Sequence, residues 1–241
     1  MELDWSQQSP HIRALYHPWQ PGDGYEENVI AAAEARLGVR LPAPLRIFYQ
    51  AWGQRKDMTQ TNQTLLGPTE LVLQPGALVF CLENQAVCSW AIPHEDLADA
   101  NPPVVRTEEF QEWHWSEGFQ ERHWAEVDAP IHWMPSHVHL SDFLDTLTYQ
   151  HAFWGGALHG GSGCFHPQGF HEAWLEQHWH RSMVRPMAIG AADGNDPDIP
   201  LYRRNGLILC QSQSWCHVAA RSVEDLDTIA EELQITWERR W

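Results

Sequence analysis

Lysine is nearly missing from this chain. Lys56 is the only one, and 15 basic residues face 32 acidic ones, for a formal charge of −17. Neutralising nucleic-acid phosphates takes an excess of Lys and Arg, so a nucleic-acid binder is excluded. An anionic membrane surface is disfavoured for the same reason. No apolar run approaches the ~18 residues that a membrane helix needs. Met1-Glu2-Leu3-Asp4-Trp5 has neither the basic start nor the apolar stretch of a signal peptide, which places the expectation in the cytoplasm. The five cysteines, Cys81, Cys88, Cys164, Cys210 and Cys216, are odd in number and contain no Cys-x-x-Cys. They suit neither a disulfide framework nor a zinc ribbon, and reduced thiols are expected. A Walker loop, a Gly-x-Gly-x-x-Gly, a His-Glu-x-x-His and a Gly-x-Ser-x-Gly elbow are all missing, so the sequence implies no nucleotide or other cofactor.

What is present is an ordinary globular composition, 43% hydrophobic and 20% charged over 241 residues. Such a chain can bury roughly 70% of its unfolded surface without disulfide or metal support. Tryptophan (14) and histidine (15) are far above ordinary usage. Tryptophan supplies large amphipathic area for cores and interfaces. Protonation of the histidines would erase most of the negative charge, so solubility is expected to fall in mildly acidic buffer.

Local patterns give an outline. Residues 1–24, with Pro10, Pro18, Pro21, Gly22 and Gly24, read as an irregular lead-in. Val29, Ile30, Ala33 and Leu37 fall at helical spacing over about Glu26 to Leu37, with Gly38 placed as a C-terminal cap. Pro42 and Pro44 mark the start of a second helix with stripe Leu45, Phe48, Tyr49 and Trp52, ended by Gly53. Residues 54–70 read as a loop. Leu71-Val72-Leu73 stops at the turn pair Pro75-Gly76, and Ala77–Glu83 and Ala86–Ile92 read as a hairpin around Asn84-Gln85. That register sets Cys81 opposite Cys88 as a reduced cross-strand pair.

Further on, Ser141 is expected to cap a helix whose one side carries Leu140, Leu144, Leu147, His151, Trp154 and Leu158. The glycines at 155–156 and 160–161 should fray its end. A short helix around Phe170–Gln177, a hairpin of Leu207–Gln211 with Trp215–Ala219, and a last helix capped by Ser222 follow. Helices before antiparallel hairpins, with later helices packed outside, indicate one α+β domain over 1–241 with a mostly antiparallel sheet.

The chemistry-bearing motifs are weak. His114-Trp115, His123-Trp124 and His132-Trp133 recur every nine residues, a spacing that suits no single helix or strand face. His132, His137 and His139 form one cluster; His166, His171, His178 and His180 form another. Imidazole is a common zinc ligand, and the pairs 137/139 and 178/180 would share a strand face, which leaves a His-liganded metal hydrolase as the alternative class. Gly161-Ser162-Gly163-Cys164 is the nearest approach to an exposed nucleophile but reads as a flexible loop. From Glu108 to Asp128 seven acids alternate with aromatics around one base, Arg122. Aromatic anchors with acidic flanks suit a basic protein partner, and Glu112, Trp113, Trp115, Glu117 and Glu121 are its expected contact residues.

One block resembles a known superfamily. Ile30-x-x-x-Glu34-x-x-Leu37-Gly38-Val39-x-Leu41-Pro42-x-x-Leu45-Arg46-x-Phe48-Tyr49-x-x-x-Gly53 is similar to the SUKH superfamily of bacterial toxin-immunity proteins and fungal cell-wall-synthesis regulators. The resemblance continues through Leu71, Leu78-Val79-Phe80, Glu83-Asn84-Gln85 and Val87-x-x-Trp90-x-Ile92, and returns near Leu201-Tyr202, Gly206-Leu207 and a helix leading to Trp237. Residues 105–200 diverge and read as an insertion region. The resemblance implies a binding module without catalysis: an immunity protein that neutralises a basic, nuclease-type toxin, or a regulatory scaffold. Glu34, Leu41-Pro42 and Gly53 are expected to shape the helix pair.

Overall fold

One carboxylate organises the start of the chain. In the computed structural model, which describes residues 15–16, 19–61, 63–84, 88–107, 131–154, 158–165, 172–184, 199–204, 206–212 and 215–240, helix α1 (Glu27–Leu37) and helix α2 (Ala43–Trp52) follow the expected bounds closely. Gly38 closes α1 in the left-handed region at φ 69°, where a side chain is strained, and returns its N–H to the Glu34 carbonyl. The Glu34 side chain then accepts from the Leu41 N–H at 2.8 Å and pairs with Arg46 Nη1 at 2.7 Å. Arg46 also reaches Glu27. Glu34, Leu41 and Arg46 therefore clip the two helices together, while Ile30, Leu45, Phe48, Tyr49 and Trp52 face the core.

The stretch after α2 is not a loop. It holds a short helix α3 (Lys56–Thr59), strand β1 (Gln63–Leu65) and a single 3-10 turn at Pro68–Glu70. Its polar residues mislead because they are satisfied internally. Arg55 is buried between the Tyr16 and Trp52 rings and forks onto Asp57, and Met58 and Thr59 are buried.

The first sheet is antiparallel throughout, in the order β1, β3 (Ala77–Glu83), β4 (Ser89–Pro93), β5 (Val104–Thr107), β6 (Met134–His137), with β2 (Val72–Gln74) sharing the β1 edge of β3. The β3–β4 register differs from the expected one. On the turn side Leu82 faces Ser89 and Cys81 faces Trp90, two residues from the expected partners, and Phe80 is an extra residue before Val79 faces Ala91. Cys88 lies beyond β4, with its carbonyl on the Glu83 N–H. Neither thiol is in a disulfide. The bulge turns Phe80 into the core, 5.0 Å centroid to centroid from Phe143.

Phe143 belongs to helix α4 (Leu140–Trp154). The expected cap is displaced: α4 begins at Leu140, and Ser141 sits in the first turn. There Asn101 serves both its groups, Oδ1 accepting from the Ser141 N–H and the side-chain amide donating to Oγ. The apolar side is also broader than expected. Leu140, Phe143, Leu144, Leu147, Tyr149, Ala152 and Phe153 are all buried, and so are Thr146, Thr148 and His151. A helix apolar around most of its circumference is an interior helix. Its other neighbour is a second antiparallel sheet in the order β12 (Ile235–Arg240), β7 (His159–Phe165), β11 (Trp215–Ala220), β10 (Leu207–Ser212), β9 (Ile199–Arg204), β8 (His180–Val184).

Alternation along the strands divides this second sheet. Leu201, Ile208, Cys210 and Ala219 join the core around α4. Tyr202, Leu209, Val218 and Ala220 face the other way, onto helix α6 (Val223–Leu233) and Leu175 of helix α5 (Glu172–His178). The fold is α+β, with two antiparallel sheets and six helices among the described residues. Residues 105–200 thus contribute strands to both sheets and the helix between them.

The glycines at 160–163 belong to a strand, not a frayed helix end. β7 is flanked by β11 and β12, and a side chain at Gly161 would meet the Trp237 ring at 2.8 Å. A Cβ at Gly163 would lie 2.3 Å from the Thr236 carbonyl oxygen. Trp237 itself lies in β12, just past the last helix. α6 is capped as expected, Ser222 Oγ accepting from the Asp225 N–H at 3.1 Å.

His151 locks α4 to the first layer. Its Nδ1–H donates to the Met58 carbonyl at 2.8 Å, and its Nε2 accepts from the Gln63 N–H at 3.2 Å. Burial outweighs these bonds and pushes its pKa down to about 4. The folded value lies below the unfolded one. The stability this neutral ring contributes is therefore complete above pH ~6.5 and lost as pH falls towards 4. Asp145 on the same helix titrates in the opposite sense, raised to about 7 by burial and Asp142, so the comparison must cancel it. The stability gap between wild type and His151→Gln, from denaturant unfolding, should shrink by about 2–3 kcal/mol from pH 7 to pH 4.5. A gap independent of pH would remove this role.

Candidate functional site

A groove opens where four separated segments meet at one end of the first sheet. Gly76 in the β2–β3 turn, Pro93 at the end of β4, His94 and Glu95 after it, Val105 of β5 and Trp133 before β6 enclose about 710 Å³. The volume lies within the ordinary range for ligand-binding clefts. The sequence builds it from turn chemistry. The Pro75-Gly76 pair reverses the chain, the Gly76 carbonyl accepts from the His94 N–H at 2.8 Å, and the His94–Asp96 turn then projects Glu95 outward.

Trp133 forms the floor. Its indole Nε1–H donates to the Pro75 carbonyl at 2.9 Å, which fixes the ring orientation. The ring is half-buried against the core and keeps the rest of its surface open. Glu95 and His94 are exposed. The groove therefore presents a pinned aromatic surface beside a solvated carboxylate. That pairing recognises cations, through the ring quadrupole and the charge together.

The expected contact residues, Glu112, Trp113, Trp115, Glu117 and Glu121, lie outside the described residues. Along the chain, their segment joins β5 to β6, the strands next to which Val105 and Trp133 line the groove. The remaining acidic candidates are exposed: Glu26, Glu27, Glu224, Asp227 and Glu231. Trp133 was visible in the sequence only as one member of the His-Trp recurrence. Glu95 carried no signal at all.

The histidine pairs do not share strand faces. His137 is buried at the end of β6, with Nδ1 2.9 Å from Ser136 Oγ and its ring edge-on to Phe143 at 5.1 Å. His139 lies past the strand, exposed, its Nδ1 3.4 Å from the Asn101 carbonyl. His178 ends α5, stacked on Trp174 at 4.4 Å, whereas His180 opens β8. His166 and His171 lie outside the described residues. Among the described residues no group of three His, Cys, Asp or Glu is arranged to hold a metal ion, and no helix is long and apolar enough to cross a membrane.

Cys164 occupies a strand position, opposite Trp215 and Thr236. A bulge at Glu238 in β12 re-aims that carboxylate, whose Oε1 lies 3.5 Å from Cys164 Sγ. Desolvation and the neighbouring negative charge both push the thiol pKa up. A carboxylate that accepts from a thiol holds it protonated, the reverse of nucleophile activation. The other four thiols are buried. A thiol reagent such as Ellman's reagent should therefore modify one cysteine in the folded protein, slowly at pH 8, and all five in denaturant. Glu238→Gln should speed the native reaction severalfold. An unchanged rate in Glu238→Gln would detach Cys164 from this carboxylate.

Compared with known proteins, the chain matches no protein-family model, no curated protein and no solved structure.

Proposed function

We propose that this chain is a cytoplasmic, non-enzymatic protein-binding module of SUKH type, which acts as an immunity protein against a basic, nuclease-type toxin domain. The observation that carries the reading is charge: −17 with a single lysine. Nuclease domains are basic because they must hold phosphates. An acidic protein can cover such a surface in place of nucleic acid, and long-range attraction speeds the encounter.

The helix pair supports the same reading. The residues that carry the SUKH resemblance form the Glu34–Leu41–Arg46 clip, a structural device, and the exposed carboxylates Glu224, Asp227 and Glu231 of α6 lie outside it. The acidic and aromatic segment 108–128 adds anchors of the type that dominate interfaces.

The test is a stopped-flow or biosensor titration against a panel of basic nuclease toxin domains, with nuclease activity read in parallel. A cognate domain should be inhibited at about equimolar protein. Its association rate should fall by about tenfold or more from low to high salt, since exposed charges are screened beyond ~8 Å at physiological ionic strength. Trp113→Ala and Trp115→Ala should weaken binding mainly through faster dissociation. Association that ignores salt would contradict the electrostatic reading.

A further inference from the structure

We infer that the Trp133–Glu95 groove is a receptor pocket for an arginine side chain of the protein partner. This rests on the reading of the chain as a binder of basic proteins and names the place where one cationic anchor enters. Four observations carry it. The groove is open, which suits a protruding side chain better than an enclosed small molecule. Its aromatic floor is pre-oriented by the Trp133–Pro75 hydrogen bond, so little ordering is needed on binding. Among the described residues its one carboxylate is Glu95, which is exposed and makes no ion pair with another described residue. Finally, the net charge of −17 draws cationic groups to the surface.

Arginine fits this pair better than lysine. Its planar guanidinium stacks flat on an indole and presents a fork of N–H donors to a carboxylate. Val105 and Pro93 offer apolar surface to the methylene stem, as long cationic side chains prefer.

The experiment uses the full chain with its tryptophan indole nitrogens labelled with 15N, the Trp133 resonance being assigned by its loss in Trp133→Phe. The probe is the blocked tripeptide acetyl-Gly-Arg-Gly-amide, and its control carries citrulline, which has the same shape without the charge. The arginine peptide should shift the Trp133 indole resonance saturably. Citrulline should bind about tenfold more weakly, and Glu95→Gln should weaken the arginine peptide by about tenfold. Glu95 is on the surface, so that variant should keep the wild-type thermal midpoint. Equal response to citrulline, an unaffected Glu95→Gln, or a silent Trp133 resonance would each overturn the proposal. A shift that follows protein concentration without peptide would overturn it too, by making a second copy of this chain the occupant. Failure here, with a toxin domain still bound in a salt-dependent way, would remove the pocket and leave the broader reading intact. Arginine binding at Trp133, with salt-independent toxin association, would do the reverse.

Discussion

Everything in this fold depends on α4 being buried between two sheets. Phe143 packs edge-on against Phe80 and beside Trp90 in the first sheet. On the far side, the Arg203 guanidinium of β9 lies 5.5 Å from the centre of the Tyr149 ring and bonds its hydroxyl. A helix in that position has little solvated surface on which to place polar groups beyond Asp142 and its partly exposed neighbours Ser141, Asp145 and Gln150. Its buried polar groups must therefore find partners inside. His151 bridges Met58 and Gln63, Thr148 Oγ1 donates to the Leu144 carbonyl, and the Thr148 carbonyl receives the Tyr16 hydroxyl. These bonds tie α3, β1 and the segment around Tyr16 to one helix.

The candidate site inherits its rigidity from the same arrangement. β4 and β5 run from the α4 contact at Trp90 and Val104 outward to Pro93 and Val105 at the groove. The ladder of this sheet is irregular at Phe80 and between Val104 and Val105, the second irregularity lying beside the groove. Trp133 then needs only one hydrogen bond to be held in place. The acidic character of the surface is independent of this scaffold, because exposed carboxylates on α1 and α6 play no part in either core.

Local signals made the helices legible. Gly38, Pro42, Gly53 and the Ser222–Asp225 cap act within a few residues of themselves, and the structure keeps each of them. The α+β class followed from their order. Features decided by distant partners were not legible. β7 reads as a flexible loop because glycine marks turns, yet Gly161 and Gly163 are needed where β12 and Trp237 press on the strand. Ser141 reads as a cap, but Asn101, forty residues earlier, does that work. The Cys81–Cys88 register failed at the turn, where Leu82 lies opposite Ser89 and Cys81 opposite Trp90, two residues from the expected pairing. The groove was hidden for the same reason. Gly76, Glu95 and Trp133 are joined by sheet topology, and no spacing rule connects them.

The coupling of both sheets through α4 is tested most directly by native-state hydrogen exchange on Leu147→Ala. Leu147 is fully buried at the middle of the helix. Its truncation should cost about 2–5 kcal/mol. The slowest amides of β3 and β4 and those of β10 and β11 should lose protection by the same free energy if the two sheets unfold as one unit. Loss confined to one sheet, with the other keeping wild-type protection, would contradict the account.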